Sequence, residues 1–326
     1  MNEFGRSSRP FLFLFDFEMT RPLVFLLDDV DPALLRYDLN GVSNVPAAPD
    51  VPVGAFRFNR FPEPFEHFEA AFARARAALQ RGDTFLLNLT TRTRIETDLT
   101  LPKLFARSRA RYRVLSTAGY PSAPETGTSF VCFSPEIFVR VDADGVISTN
   151  PMKGTCDARL PDARAALLAD AKEQYEHATI VDLLRNDLAA VTTRRWVERY
   201  RYVEELRTHA APLLQVSSEI RGTLPPDWRA HLGDWFVKLL PAGSISGAPK
   251  PRTVELIREI EGRPRGYYTG IVGLFDGRTL DSGVLIRFIE QTAEGLFFRS
   301  GGGITFRSDA RSEYQEVIDK VYLPIW

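Results

Sequence analysis

The segment NPMKGT at residues 150–155 contains the most distinctive candidate for chemistry, Lys153, held between a proline and a glycine. It follows two strand-like runs, at 137–141 and 146–149, joined by a turn at Asp144-Gly145. Because proline and glycine restrict the backbone around it, we expect a lysine fixed at the mouth of a β-hairpin. A desolvated lysine amine is neutral and nucleophilic. A solvated turn lysine is the alternative.

Two predicted helices, at 172–188 and 312–322, each carry a pair of carboxylates at helical spacing, together with a lysine. Oxygen ligands without histidine or cysteine select hard cations, so these pairs fit Mg²⁺ better than Zn²⁺. The same spacing also occurs as ordinary charge pairs on solvated helices, which is the alternative. The residues are Lys172, Glu173 and Glu176 on the first helix and Glu313, Glu316 and Lys320 on the second.

Two segments rich in small residues could bind an anion. The loop PAGSISGAPK at 241–250 contains Ser244 and Gly247 and precedes a predicted helix at 251–261, whose N-terminus favours negative charge. The run at 301–303 consists of three glycines and also precedes a helix, so its bare N–H groups suit a carboxylate or a phosphate. A tight turn without a ligand explains either segment equally well.

Two charged residues stand in or beside apolar strand-like runs. Arg287 interrupts the run VLIRFI, and a charge inside an apolar strand needs a partner, either a structural carboxylate or a bound anion. Glu136 begins the strand that leads to the lysine hairpin. It could act as a general acid, or it could be an ordinary glutamate at a strand end.

The composition is that of a soluble globular protein, with 44% hydrophobic and 25% charged residues in a chain of 326. The 41 basic and 42 acidic residues give a net charge of -1, which argues against a general nucleic-acid binder. The sequence contains no run of about 18 apolar residues, so it predicts no membrane span. Cys132 and Cys156 match neither a disulfide framework nor a metal spacing, so we expect a reducing, cytoplasmic setting.

Strands come in runs with helices between them, and the connections look like hairpins. This pattern predicts an α+β or mixed fold with largely antiparallel sheets. Further helices are predicted at 64–80, 102–111 and 228–239. Because we find no internal repeat and no low-complexity linker, we expect one domain over 1–326, with a β-rich N-terminal region at about 11–60 packed onto it.

Taken together, the motifs resemble those of the chorismate-utilising enzymes, which include anthranilate synthase, aminodeoxychorismate synthase, isochorismate synthase and salicylate synthase. The resemblance implies a two-layer antiparallel β-sandwich flanked by helices, with the active site in a cleft. In chain order, the matching segments are GDTFLLNLT (82–90), SPE (134–136), PMKGT (151–155), KEQYEH (172–177), VDLLRNDL (181–188), the loop at 241–250, RGYYTG (265–270), GGGI (301–304) and EYQEVIDK (313–320).

The resemblance also implies a role for each matching residue. Glu176 and Glu316 would bind Mg²⁺, with Glu173 and Glu313 close by, and Glu136 would be the general acid that helps to expel the C4 hydroxyl of chorismate. The implied substrate-binding residues are Thr155, Ser244, Gly247, Tyr268, Arg287, Gly301, Gly302, Gly303 and Lys320.

Lys153 points to the aminodeoxychorismate synthase branch, because anthranilate synthases tend to have alanine at that position. The implied reaction is attack of the Lys153 amine at C2, loss of the C4 hydroxyl and replacement of the lysine by ammonia. A glutamine amidotransferase partner would supply ammonia, and an aminodeoxychorismate lyase would use the product for p-aminobenzoate and folate. Leu86, where water-adding relatives have a lysine, cannot activate water. Anthranilate synthase component I is an alternative, and so is a catalytically silent chorismate-binding subunit, since Leu86 and Leu214 depart from the family pattern.

Overall fold

The computed structural model describes residues 1–46, 54–117, 129–206 and 212–325. The chain divides into two compact units that alternate along the sequence. Unit 1 comprises residues 1–9, 137–244 and 275–281, and unit 2 comprises residues 10–136, 245–274 and 282–326. The expectation of one domain with an N-terminal β-rich region stays a prediction. In the described ranges, no helix is long and apolar enough to cross a membrane.

The helices of the described residues vary from one turn to five. The α-helices are α1 (Asn2–Arg6), α2 (Phe65–Arg81), α3 (Leu101–Arg107), α4 (Ala163–Ala169), α5 (Ala171–Ala189), α6 (Leu232–Phe236), α7 (Lys250–Glu261) and α8 (Ala310–Asp319). Short 3-10 helices lie at Leu27–Asp29, Val237–Leu239 and Gly243–Ile245.

The strands form two antiparallel sheets, so the predicted mixed α+β class is confirmed. The strands are β1 (Phe11–Phe15), β2 (Leu23–Leu26), β3 (Leu35–Leu39), β4 (Val42–Ser43), β5 (Phe58–Pro62), β6 (Leu86–Thr97), β7 (Tyr112–Ser116), β8 (Ser129–Ser134), β9 (Ile137–Val141), β10 (Val146–Thr149), β11 (Met152–Asp157), β12 (Arg194–Leu206), β13 (Leu213–Thr223), β14 (Gly247–Ala248), β15 (Ile271–Phe275), β16 (Leu280–Val284), β17 (Phe288–Thr292) and β18 (Gly295–Ile304).

The long strand β13 organises the sheet within unit 1. β12 pairs along one side of β13, whereas β10 and β11 pair with its two halves on the other side. The predicted hairpin of β9 and β10 is confirmed, with its turn at Gly145, where φ is +82°. A Cβ there would stand 2.9 Å from the indole nitrogen of Trp228, so both the backbone angle and the packing require glycine.

Unit 2 contains a complete nine-stranded sheet, in which β6 pairs with β18, β18 with β17, β17 with β8, β8 with β7 and β7 with β3. Its longest ladder joins β6 to β18 from Ile95 opposite Leu296 to Leu87 opposite Ile304. The buried face of this sheet forms an apolar core with α3 and the C-terminal segment. Members of that core are Ile95, Leu101, Leu104, Phe105, Leu115, Val131, Phe133, Ile289, Phe298, Val321, Leu323 and Ile325.

Local signals in the sequence fix the ends of the helices that carry candidate residues. The Asp170 side chain accepts the N–H of Glu173 at the start of α5, and that of Asp309 accepts the N–H of Ser312 at the start of α8. Gly82 ends α2 in a left-handed conformation, as its position predicts.

The helix predicted at 228–239 is wrong in extent, because α6 covers Leu232–Phe236 and continues as a 3-10 turn. Before Leu232 the chain forms turns, in which the N–H of Ala230 bonds to Asp227 and that of His231 to Trp228. Asn2, a residue distant in sequence, caps the start of α6. Its side-chain oxygen accepts the N–H of Gly233 at 2.6 Å and that of Asp234 at 3.3 Å. Asn2 thus satisfies two N–H groups of the first turn of α6, which have no carbonyl partner within the helix.

Replacing Gly283 with alanine tests the packing of unit 2. A Cβ at Gly283 would lie 2.5 Å from the ring of Tyr112, which is fully buried. We expect Gly283→Ala to lower the free energy of unfolding by about 1–3 kcal/mol, since the ring must move inside a packed core. Urea unfolding measures the change, with Gly54→Ala as the matched control, because no atom lies within 4 Å of a Cβ there. Equal midpoints for the two variants would contradict this packing.

Candidate functional site

Lys153 lies in an interruption of strand pairing, rather than at the mouth of the predicted hairpin. β11 pairs with β13, but its register shifts between Met152 and Thr155. Gly154, inside this interval, has a φ of +86°, a left-handed angle that favours glycine. The sequence therefore forms a bulge at Lys153–Gly154, and the hairpin-mouth placement is wrong. Thr155 stands opposite Gln215, and its side chain is outside the described part of the structure.

The amine of Lys153 pairs with a carboxylate on α5. Its Nζ lies 3.0 Å from Oε2 of Glu176, and the Nζ of Lys172 lies 3.7 Å from the other oxygen. The side chain of Glu176 is 11% exposed and that of Lys153 is 30% exposed. Lys153 is thus a partly buried, paired lysine, which excludes the alternative of a solvated turn lysine.

Glu173 lies against the same bulge. A Cβ built at Gly154 would stand 3.1 Å from Oε2 of Glu173, so the glycine lets the carboxylate approach the backbone. The pKa of Glu173 is raised, first by burial and then by the negative charge of Glu176, and Lys153 and Lys172 partly oppose this. A cation bound here would relieve the repulsion between the two carboxylates.

His177 follows Glu176 on α5 and is a residue for which the sequence assigned no role. Its ring is completely buried, and its Nε2 lies 2.7 Å from Oγ of Ser218 on β13. Burial, and then the charge of Arg201, lower the pKa of His177 to about 4, so the imidazole is neutral at physiological pH. A sequence signal existed, because this histidine directly follows a candidate ligand inside a family motif.

The three glycines at 301–303 form part of strand β18, instead of an anion-binding turn before a helix. They stand opposite Thr90, Leu89 and Asn88 of β6. The pairing of β17 with β18 ends at Phe288 opposite Arg299. Among the described strands, the glycine segment therefore pairs along β6 alone, and its other edge is available to a ligand.

Arg287 lies in the break between β16 and β17, which corrects its expected place inside a strand. Its φ of +53° is unusual for a residue with a side chain. The guanidinium lies 5.2 Å from the ring centre of Tyr322, and its buried Nε has no hydrogen-bond partner among the described residues. Pairing of β17 with β18 ends at Phe288, the residue that follows Arg287.

Lys320 connects α8 to the glycine segment. Its Nζ donates a hydrogen bond to the carbonyl of Gly301 at 2.8 Å and another to Glu316 at 2.7 Å. Glu313 is 3% exposed, and its Oε2 would lie 3.4 Å from a Cβ at Gly302. The predicted grouping of Glu313, Glu316 and Lys320 along one helix is therefore confirmed, and the group lies over the glycines.

Tyr268 lies in the RGYYTG segment, which a buried arginine, Arg265, ties to neighbouring elements. Arg265 donates hydrogen bonds to Glu261 at 2.7 Å and to the carbonyls of Ile245 and Asn88. Tyr268 is 2% exposed, and burial raises its pKa to about 12, so the phenol stays neutral. Its ring lies 4.9 Å from the guanidinium of Arg299, a contact that the sequence did not predict.

The remaining candidates lie on segments held by main-chain contacts. Gly247 pairs with Leu87, and a Cβ on it would stand 1.8 Å from the carbonyl oxygen of Leu86, so glycine is required. Glu136 is half-buried, and its carbonyl accepts the N–H of Val284 at 3.1 Å. Ser244 belongs to unit 1, in the short 3-10 helix at Gly243–Ile245.

The candidate glutamates are of the ligand type that binds a hard cation. Within the described ranges, however, no three His, Cys, Asp or Glu residues lie together as a metal site. Unit 1 offers Glu173 and Glu176, and unit 2 offers Glu313 and Glu316. All donors are oxygens, and burial, followed by the charge of Glu176, raises the pKa of Glu173. Binding of Mg²⁺ by these residues stays a prediction.

The fold and these motifs identify a family. The family model described as chorismate binding enzyme matches residues 36–325, and the chain belongs to this family. A solved structure of anthranilate synthase component I from Streptococcus pneumoniae TIGR4 is similar over 83% of this chain and 60% of its own length. It has a TM-score of 0.67 and 29% identity.

Curated relatives carry different names. An uncharacterized PabA-like protein of Pasteurella multocida is 47% identical, over 99% of this chain and 97% of its own length. A rice protein (Oryza sativa subsp. japonica) named "Probable aminodeoxychorismate synthase, chloroplastic" is 33% identical, over 76% of this chain and 28% of its own length. Relatives named anthranilate synthase component 1 reach 38% identity, so identity alone does not choose between the two activities.

Two glycine substitutions separate binding from stability in unit 2. A Cβ at Gly302 meets Glu313, Val317 and Lys320 at 3.4 Å or more, so Gly302→Ala should fold with near-normal stability. Its methyl group takes space beside Lys320, and we expect chorismate to bind about tenfold more weakly, equivalent to about 1.4 kcal/mol. The KM for chorismate and the urea midpoint measure these effects.

The matched control is Gly301→Ala. A Cβ at Gly301 meets a methyl of Thr90 at 2.9 Å and the carbonyl oxygen of Leu89 at 3.0 Å. We expect this variant to lose about 1–3 kcal/mol of stability. Unchanged chorismate binding by Gly302→Ala would remove the glycine segment from the substrate site.

Proposed function

We propose that this chain is the chorismate-aminating subunit of an aminodeoxychorismate synthase, component I, which makes 4-amino-4-deoxychorismate from chorismate and ammonia. The observation that supports this most is Lys153, a partly buried lysine paired with Glu176 at 3.0 Å in a glycine-containing bulge. Among the relatives, the rice protein carries the name of this activity.

The proposed reaction consists of two successive substitutions on the ring of chorismate. The neutral amine of Lys153 forms a bond to C2 of chorismate, the two ring double bonds shift, and the C4–O bond breaks. Glu136 gives a proton to the departing hydroxyl, which leaves as water. Ammonia then forms a bond to C4, the double bonds shift back, and the C2–N bond to Lys153 breaks. Each of the two steps is easier than direct displacement.

Residues of unit 2 would bind the substrate carboxylates. Arg287 has a buried Nε without a partner among the described residues, and a buried donor of this kind gains from an anionic ligand. The neutral phenol of Tyr268, Lys320 and the N–H groups at 301–303 would add further hydrogen bonds. Thr155, Ser244 and Gly247 are proposed as additional substrate contacts.

Ammonia would come from a glutamine amidotransferase partner, because neither cysteine of the chain is activated. Cys132 is fully buried, and burial raises its pKa, as it raises the pKa of Cys156. A glutaminase nucleophile needs a thiolate, which these surroundings disfavour. The product would pass to an aminodeoxychorismate lyase, the enzyme type that forms p-aminobenzoate for folate.

Mg²⁺ is proposed as the cofactor, held by Glu176 and Glu316 with Glu173 and Glu313 close by. When bound, the ion would neutralise negative charge on the substrate and on the developing leaving group.

Anthranilate synthase component I is the second candidate, favoured by the solved structure at 29% identity and by the relatives of that name. Lys153 argues against it, since an amine at this position could compete with ammonia at C2. A catalytically silent chorismate-binding subunit is the third candidate, and Leu86, 8% exposed on β6, is its main support.

A product assay decides among these candidates. Purified chain is incubated with chorismate, Mg²⁺ and ammonium chloride, with and without an aminodeoxychorismate lyase. We expect 4-amino-4-deoxychorismate by mass spectrometry, and p-aminobenzoate only when the lyase is present. Anthranilate formed without lyase would support the second candidate, and no turnover, with or without an amidotransferase, would support the third.

Substitution of Lys153 tests the covalent step. We expect Lys153→Ala to lower kcat by at least about 100-fold, because it removes the nucleophile. Intact-mass analysis should detect a chorismate-derived adduct on the wild type under ammonia-free conditions and none on the variant. Lys172→Ala is the matched control, since Lys172 also contacts Glu176 but is nearly half exposed. A wild-type rate for Lys153→Ala would exclude the nucleophile role.

Substitution of Glu316 tests the metal proposal. We expect Glu316→Gln to need a higher Mg²⁺ concentration for half-maximal activity, because an amide is a weaker ligand for a hard cation. Glu255→Gln, on the exposed surface of α7, is the control. Identical Mg²⁺ titrations for wild type and Glu316→Gln would contradict the assignment.

A further inference from the structure

A carboxylate near the N-terminal end of unit 2 holds the first two residues of the RGYYTG segment. Oε1 of Glu18 accepts the N–H of Arg265 at 2.8 Å, and Oε2 accepts that of Gly266 at 3.0 Å. Gly266 has a φ of +60°, a left-handed angle that favours glycine. Successive N–H groups that converge in this way form an anion-binding site, and here the protein fills that site with its own carboxylate.

Phe17 binds the same two residues from the preceding position. Its N–H donates to the carbonyl of Gly266 at 2.8 Å, and the centre of its ring lies 4.4 Å from the guanidinium carbon of Arg265. Both main-chain groups of Gly266 are therefore bonded by consecutive residues, the carbonyl by Phe17 and the N–H by Glu18.

The turn that follows this anchor has a strained backbone. The N–H of Gly270 donates to the carbonyl of Tyr267 at 2.9 Å, so Tyr268 and Thr269 are the central residues of a β-turn. Thr269 has a φ of +60°, which is rare for a β-branched residue. Such a conformation persists only where the surrounding structure imposes it. The contacts on either side of the turn therefore decide where Tyr268 lies.

The end of the turn is anchored by main-chain bonds alone. The N–H of Thr269 donates to the carbonyl of Leu285 at 2.8 Å, and the N–H of Leu285 donates to the carbonyl of Gly270 at 2.8 Å. The main chain of Tyr268 is thus held from both sides. Bonds of this kind do not depend on side-chain identity, whereas the anchor at the start of the turn also needs the carboxylate of Glu18.

We propose that Glu18 is a positioning residue, which orients the phenol of Tyr268 toward the substrate by fixing the start of this turn. The inference rests on the proposed function, in which Tyr268 binds a carboxylate of chorismate. Tyr268 is 2% exposed, so its packed ring has little room to compensate for a displaced main chain. A contact with a group that does not react stabilises bound substrate and transition state alike, so its loss raises KM and leaves kcat nearly unchanged.

Two substitutions of Glu18 grade the effect. We expect Glu18→Ala to weaken chorismate binding by about five- to tenfold, and Glu18→Gln, which keeps one acceptor oxygen, by about two- to threefold. The dissociation constant from equilibrium dialysis and the KM for chorismate measure these changes. Met19→Ala is the matched control, because the side chain of this neighbouring residue is 44% exposed. Wild-type binding by Glu18→Ala would overturn the inference.

A double-mutant cycle separates positioning from a general loss of structure. In the Tyr268→Phe background, which lacks the hydroxyl, Glu18→Ala should change chorismate binding by less than about twofold, because the contact that Glu18 positions is already absent. The same fold-change in both backgrounds is the result expected of a general structural role, and it would overturn the inference. Dialysis needs no turnover, so this coupling is measurable even where the product assay rejects the aminodeoxychorismate reaction.

If Glu18→Ala does not fold, as judged by circular dichroism, Glu18→Gln provides the test through hydrogen–deuterium exchange. We expect peptides that cover 265–270 to exchange faster in Glu18→Gln than in the wild type, since one main-chain N–H loses its acceptor. Peptides from the ladder of β6 and β18 should exchange at the wild-type rate. Unchanged exchange at 265–270 would overturn the inference.

Discussion

The interruption of strand pairing at Lys153–Gly154 is the constraint on which the candidate site of unit 1 depends. A regular β11 would alternate its side chains and use every main-chain group in the ladder with β13. The register shift and the left-handed Gly154 instead turn this segment toward α5, where Glu176 meets the amine. The pair of Lys153 with Glu176 accompanies the interrupted ladder, and bulges of this kind are specified features of a sheet.

In unit 2, too, strand pairing is interrupted beside candidate residues. Pairing of β17 with β18 stops at Arg299, and Arg287 turns away with a positive φ where the next pair would form. The glycines of β18 then have one open edge, and Lys320 bonds to the carbonyl of Gly301 from the side of α8. In both units, therefore, candidate residues occur where a sheet ends or shifts, because only there does backbone remain available to a ligand.

The sequence predicted elements well where a strong local signal operates. The hairpin at Gly145 and the end of α2 at Gly82 follow from apolar runs and glycine. Prediction from the sequence failed where tertiary contacts override local preference. Turns replace the start of the helix predicted at 228–239, and Asn2 caps the short helix that remains. The register shift that places Lys153 has no local signature beyond Pro151 and Gly154. The glycine run at 301–303 was interpreted as an anion-binding segment or a tight turn, because its pairing with β6 depends on residues more than two hundred positions away.

The pairing of Lys153 with Glu176 has a consequence for the proposed chemistry. An ammonium group has no electron pair to share, so the lysine must lose a proton before it attacks chorismate. A partly buried charge pair resists this loss, since removing one charge leaves the other desolvated. In the proposed reaction, the amine of Lys153 would therefore have to leave its pair with Glu176 before it attacks.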